Sequence, residues 1–413
     1  MAAVTQLDCV LCGSPLVTTF VDLGMSPPCE AFIPPSRVEA PETFYPLHVR
    51  ICAECLLVQL PIALPAADLF TDTYGYYSSY SSSWVEHARR YAERMTAWLD
   101  LGPRSLVVEV GSNDGYLLQH FVHAGIPVLG VEPAANVAAA AESRGVRTER
   151  CFLGEASARK LVETYGSADL VTANNVLAQV PDPADFVRGL AVLLSEQGTL
   201  TVEFPSLARL IEGRQYDTIY HEHFSYFTLL TAMRVLRMAD LVVIDVEELS
   251  THGGSLRVHA RHVGAAGRPC KRVEQMLVDE GAAGFHHVDG YRGFADAVSA
   301  VKRDLLQFLI TAASQGLTVA GYGAPGKGNT LLNHCGIRTD LLPFTVDRNP
   351  HKHGMFLPGT HIPIYPTAQI AKSQPDYVLV LPWNLRTEIS AQLAYVREWG
   401  GRLVFPIPHL DIV

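Results

Sequence analysis

The chain has 413 residues, 42 acidic against 32 basic side chains and a formal charge of −10, a length that holds about three domains and excludes a single small one. With 48% hydrophobic and 18% charged residues it can bury large cores, and with no clustered Lys/Arg run it excludes a binder of nucleic-acid backbone. Met1 to Asp8 lacks the basic start and apolar stretch of a signal peptide, which predicts a cytoplasmic protein. The longest uncharged run, Leu305 to Gly326, is interrupted by Gln307, Ser314, Gln315, glycines and Pro325, so no membrane span is expected.

Four of the eight cysteines form two C-x-x-C pairs, Cys9/Cys12 and Cys52/Cys55, while Cys29, Cys151, Cys270 and Cys335 are scattered. Each pair presents two thiolates at the tip of a turn, and two such knuckles close a tetrahedral site, which predicts a structural Zn²⁺. Redox-active or merely buried thiols are the competing reading, weakened by the lack of a βαβ pattern around either pair. The stretch between the knuckles carries Pro27, Pro28, Pro34 and Pro35 and is expected to be an irregular lobe held by metal rather than by a core.

An aromatic, hydroxyl-rich stretch from Thr73 to Tyr80, holding Tyr74 and Tyr77, precedes a helix expected from Trp84 to Leu99, whose apolar residues recur at helical spacing. Ser105 to Tyr116 then reads as a short apolar strand ending in a glycine turn that opens a helix, a place where backbone approaches a ligand closely. The next strand ends in Glu132, about twenty residues on, where a carboxylate accepts both hydroxyls of a ribose. The pattern E-x-G-S-x-x-G departs from the dinucleotide fingerprint and resembles motif I of S-adenosylmethionine-dependent methyltransferases. That resemblance implies a sulfonium cofactor touching Glu109, Gly111, Ser112, Asn113, Gly115, Tyr116, Glu132, Pro133, Asn174 and Asn175. A turn that merely connects strand to helix is the plainer alternative. A strand from Ala168 to Val176, a helix from Pro183 and a strand from Gly198 to Phe204 extend this into a doubly wound α/β sheet.

Tyr216 to Phe227 packs two histidines, a glutamate and three tyrosines into twelve positions. His221 and His223 would share one face of an extended segment, so a metal pair is conceivable, as is a solvated loop. The remaining reading is acid–base chemistry: an imidazole titrates near neutral pH, Tyr220 can donate to an oxyanion, and Glu222 can orient an imidazole or a hydroxyl.

Further on, Thr251 to His259 reads as a turn entering a strand, with His252 either facing a substrate or solvated, and Lys271 to Asp304 as a helical connector. Gly316 to Gly328 reads as a strand, a second glycine-rich turn and a helix. It contains a G-x-G-x-x-G with Asp347 about twenty residues beyond, which suggests NAD. It also nearly spells a P-loop, except that Gly328 stands where the Mg²⁺-binding Ser/Thr belongs, and a packing glycine turn is the plainer alternative. Strands at Pro343–Asp347, Asp376–Pro382 and Arg402–Pro406 complete a second Rossmann-like unit.

Over essentially its whole length the chain resembles the sugar C-methyltransferases of antibiotic deoxysugar biosynthesis, which act on nucleotide-linked 4-keto-6-deoxysugars. The marks are the two cysteine pairs, Glu109 to Gly115, Ala173-Asn-Asn-Val176, Tyr220-His-Glu-His-Phe224, Thr251-His-Gly-Gly-Ser255 and Gly321 to Gly328. The resemblance implies that His223 is the general base, Tyr220 a partner near the ketone, Glu222 a sugar contact and Tyr74 an active-site tyrosine. Tyr77, Gln179 and His252 are then expected on the substrate, and Gly323, Lys327, Asn384 and Arg386 on the diphosphate of a dTDP-sugar. Gln179 stands where the family pattern usually has His, which leaves C3 against C5 methylation open, and oligomeric state is illegible, though a monomer is consistent with two covered units. The expected fold is α/β: a zinc-binding N-terminal lobe (1–75), a Rossmann-like S-adenosylmethionine methyltransferase domain (76–245) and a C-terminal Rossmann-like nucleotide-sugar domain (246–413). Two rivals stand beside it: an NAD-dependent nucleotide-sugar oxidoreductase using the second turn, and a non-catalytic zinc-anchored nucleotide-sugar binding protein.

Overall fold

In the computed structural model, which describes residues 7–72 and 74–413, the chain divides into two compact units whose segments interleave. The first takes residues 7–17, 51–207 and 222–290; the second takes 18–50, 208–221 and 291–413. This partition cuts the chain differently from three consecutive blocks. Of the readings above, those for Met1–Gln6 and Thr73 lie outside the described residues.

The first unit is built on seven strands: β1 (Val107–Val110), β2 (Val128–Val131), β3 (Thr148–Glu149), β4 (Ala168–Asn174), β5 (Leu194–Pro205), β6 (Leu241–Leu249) and β7 (Ser255–His262). Their spatial order is β3-β2-β1-β4-β5-β7-β6. Pairing is parallel from β3 through β5, and β7 runs antiparallel to both β5 and β6. Strands covered on both faces should be continuously apolar, and β1 is buried at all four positions, Glu109 included. The strand order reverses at β1, and ligands of such sheets bind beyond the carboxyl ends of the strands at that switch point.

Helix α1 (Ser82–Leu99) flanks this sheet. The Ser81 hydroxyl caps it by accepting the Trp84 N–H at 3.3 Å, and Asp100 ends it in the left-handed region. Trp84, Ala88, Tyr91, Ala92 and Met95 are buried, whereas Glu86, Arg89, Arg90 and Glu93 form ion pairs along the wet face. The expected strand at Gly198 starts four residues earlier, at Leu194.

The second unit carries β8 (Val319–Tyr322), β9 (Thr345–Asp347), β10 (Ile364–Pro366), β11 (Tyr377–Val380), β12 (Arg402–Phe405) and β13 (Asp411–Ile412), ordered β10-β9-β8-β11-β12-β13. All neighbours are parallel except β12 and β13. Helices α2 (Phe294–Ser314) and α3 (Gly326–Cys335) lie before and after β8.

One expectation is corrected. The stretch between the knuckles is not irregular: Thr18–Ser26 and Tyr45–Ile51 are strands, and in the latter Leu47, Val49 and Ile51 alternate inward, the period-2 pattern that the flanking prolines obscured. Phe20 stacks on Phe294 at 4.7 Å, so this stretch has an apolar core of its own within the second unit. The connector from Lys271 to Asp304 is helical as expected, in separate pieces. It breaks between Ala282 and Phe294, where Gly284 and Gly293 take positive φ values of 86° and 89° that other residues adopt at a cost.

Candidate active site and zinc centre

The four knuckle cysteines converge. All four sulfurs lie within 4.8 Å of one another, with Cys9 to Cys55 and Cys12 to Cys52 both at 3.5 Å. Sulfurs about 2.3 Å from a tetrahedral Zn²⁺ stand about 3.8 Å apart, so the donor set fits a closed Cys₄ site. Outer donors support it: Gln59 Nε2 reaches the Cys9 sulfur at 3.1 Å and the Leu11 N–H reaches it at 3.4 Å. Gln59 also ties this centre to the histidine run. Its strand, Val58–Gln59, pairs antiparallel with Ser225–Tyr226, and the Leu60 N–H donates to the Phe224 carbonyl at 2.9 Å.

At the switch point of the first sheet, Gly111 and Gly115 turn the chain with φ of 68° and 77°. A Cβ on Gly111 would sit 2.4 Å from Val176 Cγ2, so only glycine fits. The Glu132 carboxylate accepts the Asn113 N–H at 3.0 Å and the Ala134 N–H at 2.9 Å, and burial pushes its pKa up. Glu109 is fully buried and its pKa is raised well above the carboxylate range, chiefly by burial and further by the charges of Asp114 and Glu132. Buried polar atoms with no protein partner ring this turn: Ser112 Oγ, Asp114 Oδ1, Asn136 Oδ1 and Asn175 Oδ1. Most are acceptors, which fits a ligand bearing an ammonium, a sulfonium and ribose hydroxyls. Tyr116 lies beside Glu109 and takes a 3.4 Å hydrogen bond from Asn174, while Pro133 follows Glu132 directly.

The aromatic stretch docks on this turn. Asn113 accepts the Ser78 N–H at 2.9 Å and donates to the Tyr76 carbonyl at 3.1 Å; Asn136 donates to the Tyr74 carbonyl at 2.8 Å and the Tyr77 hydroxyl at 3.0 Å. From there the Tyr74 hydroxyl reaches Glu222 at 3.5 Å. The Phe224 N–H donates to the Ala178 carbonyl at 2.8 Å, bringing the residue next to Gln179 alongside the run. His223 is 9% exposed, its ring edge-on to Tyr226 at 6.3 Å. Tyr220 and His221 group with the second unit and Glu222 onward with the first. His221 is 2% exposed and its Nε2 bonds the Tyr45 carbonyl at 3.3 Å, so this histidine packs rather than pairing with His223 on a metal.

Sequence reasoning missed a buried cluster at the carboxyl end of β5. Glu203 is fully buried and bonds Arg257, His87 at 3.2 Å and the Thr251 hydroxyl at 3.0 Å. Burial alone would raise its pKa, but the His87 bond and the Arg257 charge hold it down at about 2. Arg257 lies over the Tyr91 ring at 4.4 Å, and Trp84 stacks between His87 and Tyr116 with His252 edge-on at 5.0 Å. His252 has a φ of 54°, a strained conformation for a non-glycine residue. The available signal was a charge inside each of two apolar strands, Glu203 and Arg257, which register directly opposite one another.

In the second unit, Gly323 and Lys327 follow β8, and Asn384 and Arg386 follow β11, across the switch point. Lys327 Nζ donates to Asn384 Oδ1 at 2.9 Å, whereas Arg386 pairs with Asp411 and covers the Phe405 ring. Among the described residues no helix is long and apolar enough to cross a membrane.

Family models match in series: a zinc binding domain over residues 9–70, a methyltransferase domain over 84–246 and a C-methyltransferase C-terminal domain over 250–408. The chain is 35% identical to the C-methyltransferase NovU of Streptomyces niveus over 98% of its own length and 96% of that protein. It is 23% identical to a ubiquinone biosynthesis O-methyltransferase of Burkholderia pseudomallei, covering 38% of this chain and 74% of the other. A solved Burkholderia thailandensis 1,6-didemethyltoxoflavin-N1-methyltransferase is 20% identical, covers 51% of this chain and 97% of its own, and has a TM-score of 0.36. The family models and the relationship to NovU decide against the oxidoreductase and the non-catalytic binder. With more than a third of its residues shared along nearly its whole length with one C-methyltransferase, the chain belongs to the S-adenosylmethionine-dependent C-methyltransferases that carry an N-terminal zinc-binding domain.

Proposed function

We propose that the chain methylates a nucleotide-linked 4-keto-6-deoxysugar, with dTDP as the nucleotide, at the carbon next to the ketone. The observation that carries this reading is the Tyr74 to Glu222 contact at 3.5 Å: it ties the histidine run to the aromatic stretch that is itself bonded to the cofactor turn. S-adenosylmethionine supplies the electrophilic methyl group. Glu132 is assigned to its ribose, Glu109 and Asn174 to the polar surround of the turn, and Gly111 and Gly115 to the close approach of backbone.

The ketone acidifies the neighbouring C–H, and His223 removes that proton while the Tyr220 hydroxyl donates to the developing enolate oxygen. Glu222 and Tyr74 orient the sugar, with Tyr77, Gln179 and His252 as further contacts, so that the enolate carbon would face the methyl group that S-adenosylmethionine would supply when bound. Methyl transfer regenerates the ketone, and His223 returns its proton to water. Gln179 cannot carry a proton as histidine does, so in this chain the base role rests on His223 alone.

His223→Asn tests the assignment. Turnover is expected to fall by about 10²–10⁴-fold, and exchange of the substrate's α-hydrogen in D₂O with S-adenosylhomocysteine bound is expected to stop, while S-adenosylhomocysteine affinity is kept. Near-normal exchange would remove His223 from the role of base.

A further inference from the structure

The second glycine-rich turn has the sequence of a phosphate cradle, but two of its backbone donors are already taken. The Gly323 N–H donates to the Val346 carbonyl and the Ala324 N–H to the Asp347 carboxylate, both at 2.6 Å. A Cβ on Gly326, the first residue of α3, would lie 2.8 Å from the Cys29 sulfur and 3.1 Å from a Glu30 carboxylate oxygen. Side chains of the same unit, one of them an anion, thus stand where a phosphate would approach the helix start. They are held there by Asn329, which donates to the Cys29 carbonyl at 2.6 Å, and by Lys352, 3.5 Å from Glu30. The remaining cation of the turn, Lys327, is tethered to Asn384 and lies 5.0 Å over the Trp383 ring.

The same elements grip the turn Tyr216–Thr218, which leads into Tyr220. Trp383 Nε1 donates to Asp217 at 2.7 Å, and Asp217 is fully buried, with no hydrogen-bond partner for its Oδ1. From α3, the Thr330 hydroxyl donates to the Ile219 carbonyl at 3.1 Å, and Cys335 lies 3.5 Å from the buried Tyr216 hydroxyl. Gly323 lets the two loops meet, because a Cβ there would sit 2.5 Å from Pro382.

We propose that the Gly321–Gly328 turn binds no phosphate and instead, through Lys327, Trp383 and Asp217, clamps the segment that presents Tyr220, making these three positioning residues for methyl transfer. The inference rests on the role given to Tyr220 above. A clamp acts on the geometry of the reacting complex and so on kcat; a diphosphate contact acts on nucleotide affinity.

The test compares Trp383→Phe, Lys327→Met and their double variant in kcat and KM, in calorimetric affinity for thymidine diphosphate, and in amide hydrogen exchange over residues 215–221. The clamp predicts a kcat loss of about tenfold or more in each single variant, little further loss in the double, and diphosphate affinity held within about twofold. It also predicts faster exchange at 215–221 with β9 unchanged. Asp217→Asn, which keeps an acceptor for the indole N–H, is expected to recover most of what Asp217→Leu loses. Diphosphate binding weakened about tenfold by Lys327→Met, or unchanged exchange in Trp383→Phe, would overturn the clamp. Should the wild-type enzyme methylate no keto-sugar, the functional reading fails while the exchange data still decide the clamp.

Discussion

Replacing Arg257 by Met removes a guanidinium only 3% exposed and leaves the Glu203 carboxylate, 0% exposed, without its cationic partner. The size of the effect follows from the pKa. Glu203 drops from an ordinary 4.5 to about 2 although burial pushes the other way, a depression shared by the His87 bond and the Arg257 charge and worth about 3 kcal/mol in all. Because the folded-state pKa is the lower one, that stability is fully present above about pH 4.5 and is lost as pH falls through 2. Loss of the arginine removes part of that depression while the His87 bond keeps the rest, so burial pushes the Glu203 pKa up toward protonation. Arg257→Met is therefore expected to cost about 3–5 kcal/mol at pH 7, and the deficit should narrow at pH 4, where protonation relieves it. Urea titrations of the wild type, Arg257→Met and the double variant Glu203→Gln/Arg257→Met at both pH values measure this, with the double variant expected to recover much of the loss. A deficit below about 1 kcal/mol, or one that does not shrink at pH 4, would refute a buried, mutually dependent pair.

Two further outcomes are expected. Cys9→Ser removes one of four sulfurs and the acceptor of the Gln59 bond, so zinc content by atomic absorption and thermal stability should fall together; full zinc with lost activity would contradict a structural centre. Asp217, raised to about 6 by burial against the opposing pull of Lys327 and Trp383, gives its native-state advantage below its unfolded pKa near 4 and loses it as pH rises through 6. Relative to Asp217→Asn the wild type should thus lose about 2.4 kcal/mol between pH 4 and pH 7.5, and equal pH profiles in urea denaturation would exclude a buried carboxylate with that pKa.

Local grammar made much of this molecule legible. Cysteine spacing located the metal centre, the repeat of Trp84, Ala88, Tyr91 and Met95 marked α1, and an acid, a glycine turn and a second acid marked the switch point of the first sheet. What escaped was whatever depends on long-range pairing. Glu203 and Arg257 stand 54 positions apart and His87 is 170 positions from Arg257, so no window of sequence shows that two strand charges and a helix histidine share one interior. The second turn is ambiguous in sequence for a related reason. G-x-x-x-x-G-K spells a backbone conformation, but whether its amides are open to a ligand depends on Val346, Asp347 and the distant Glu30.

The interleaving of the two units bears on how the chain comes into being. Phe20, Leu23 and Cys29 find their partners at Phe294, His334 and Asn329, the last of these 300 residues downstream. At ribosomal speeds of about 5–20 residues per second, the stretch 18–50 waits roughly 15–60 s before its contacts exist. During that interval its apolar strands are open to chaperones, and a ribosome that stops early releases a product with an unpaired second unit however complete its cofactor fold. Expression trials that trim the C-terminal half should therefore yield aggregates rather than a minimal methyltransferase, and a soluble excised catalytic unit would have to omit residues 18–50 as well.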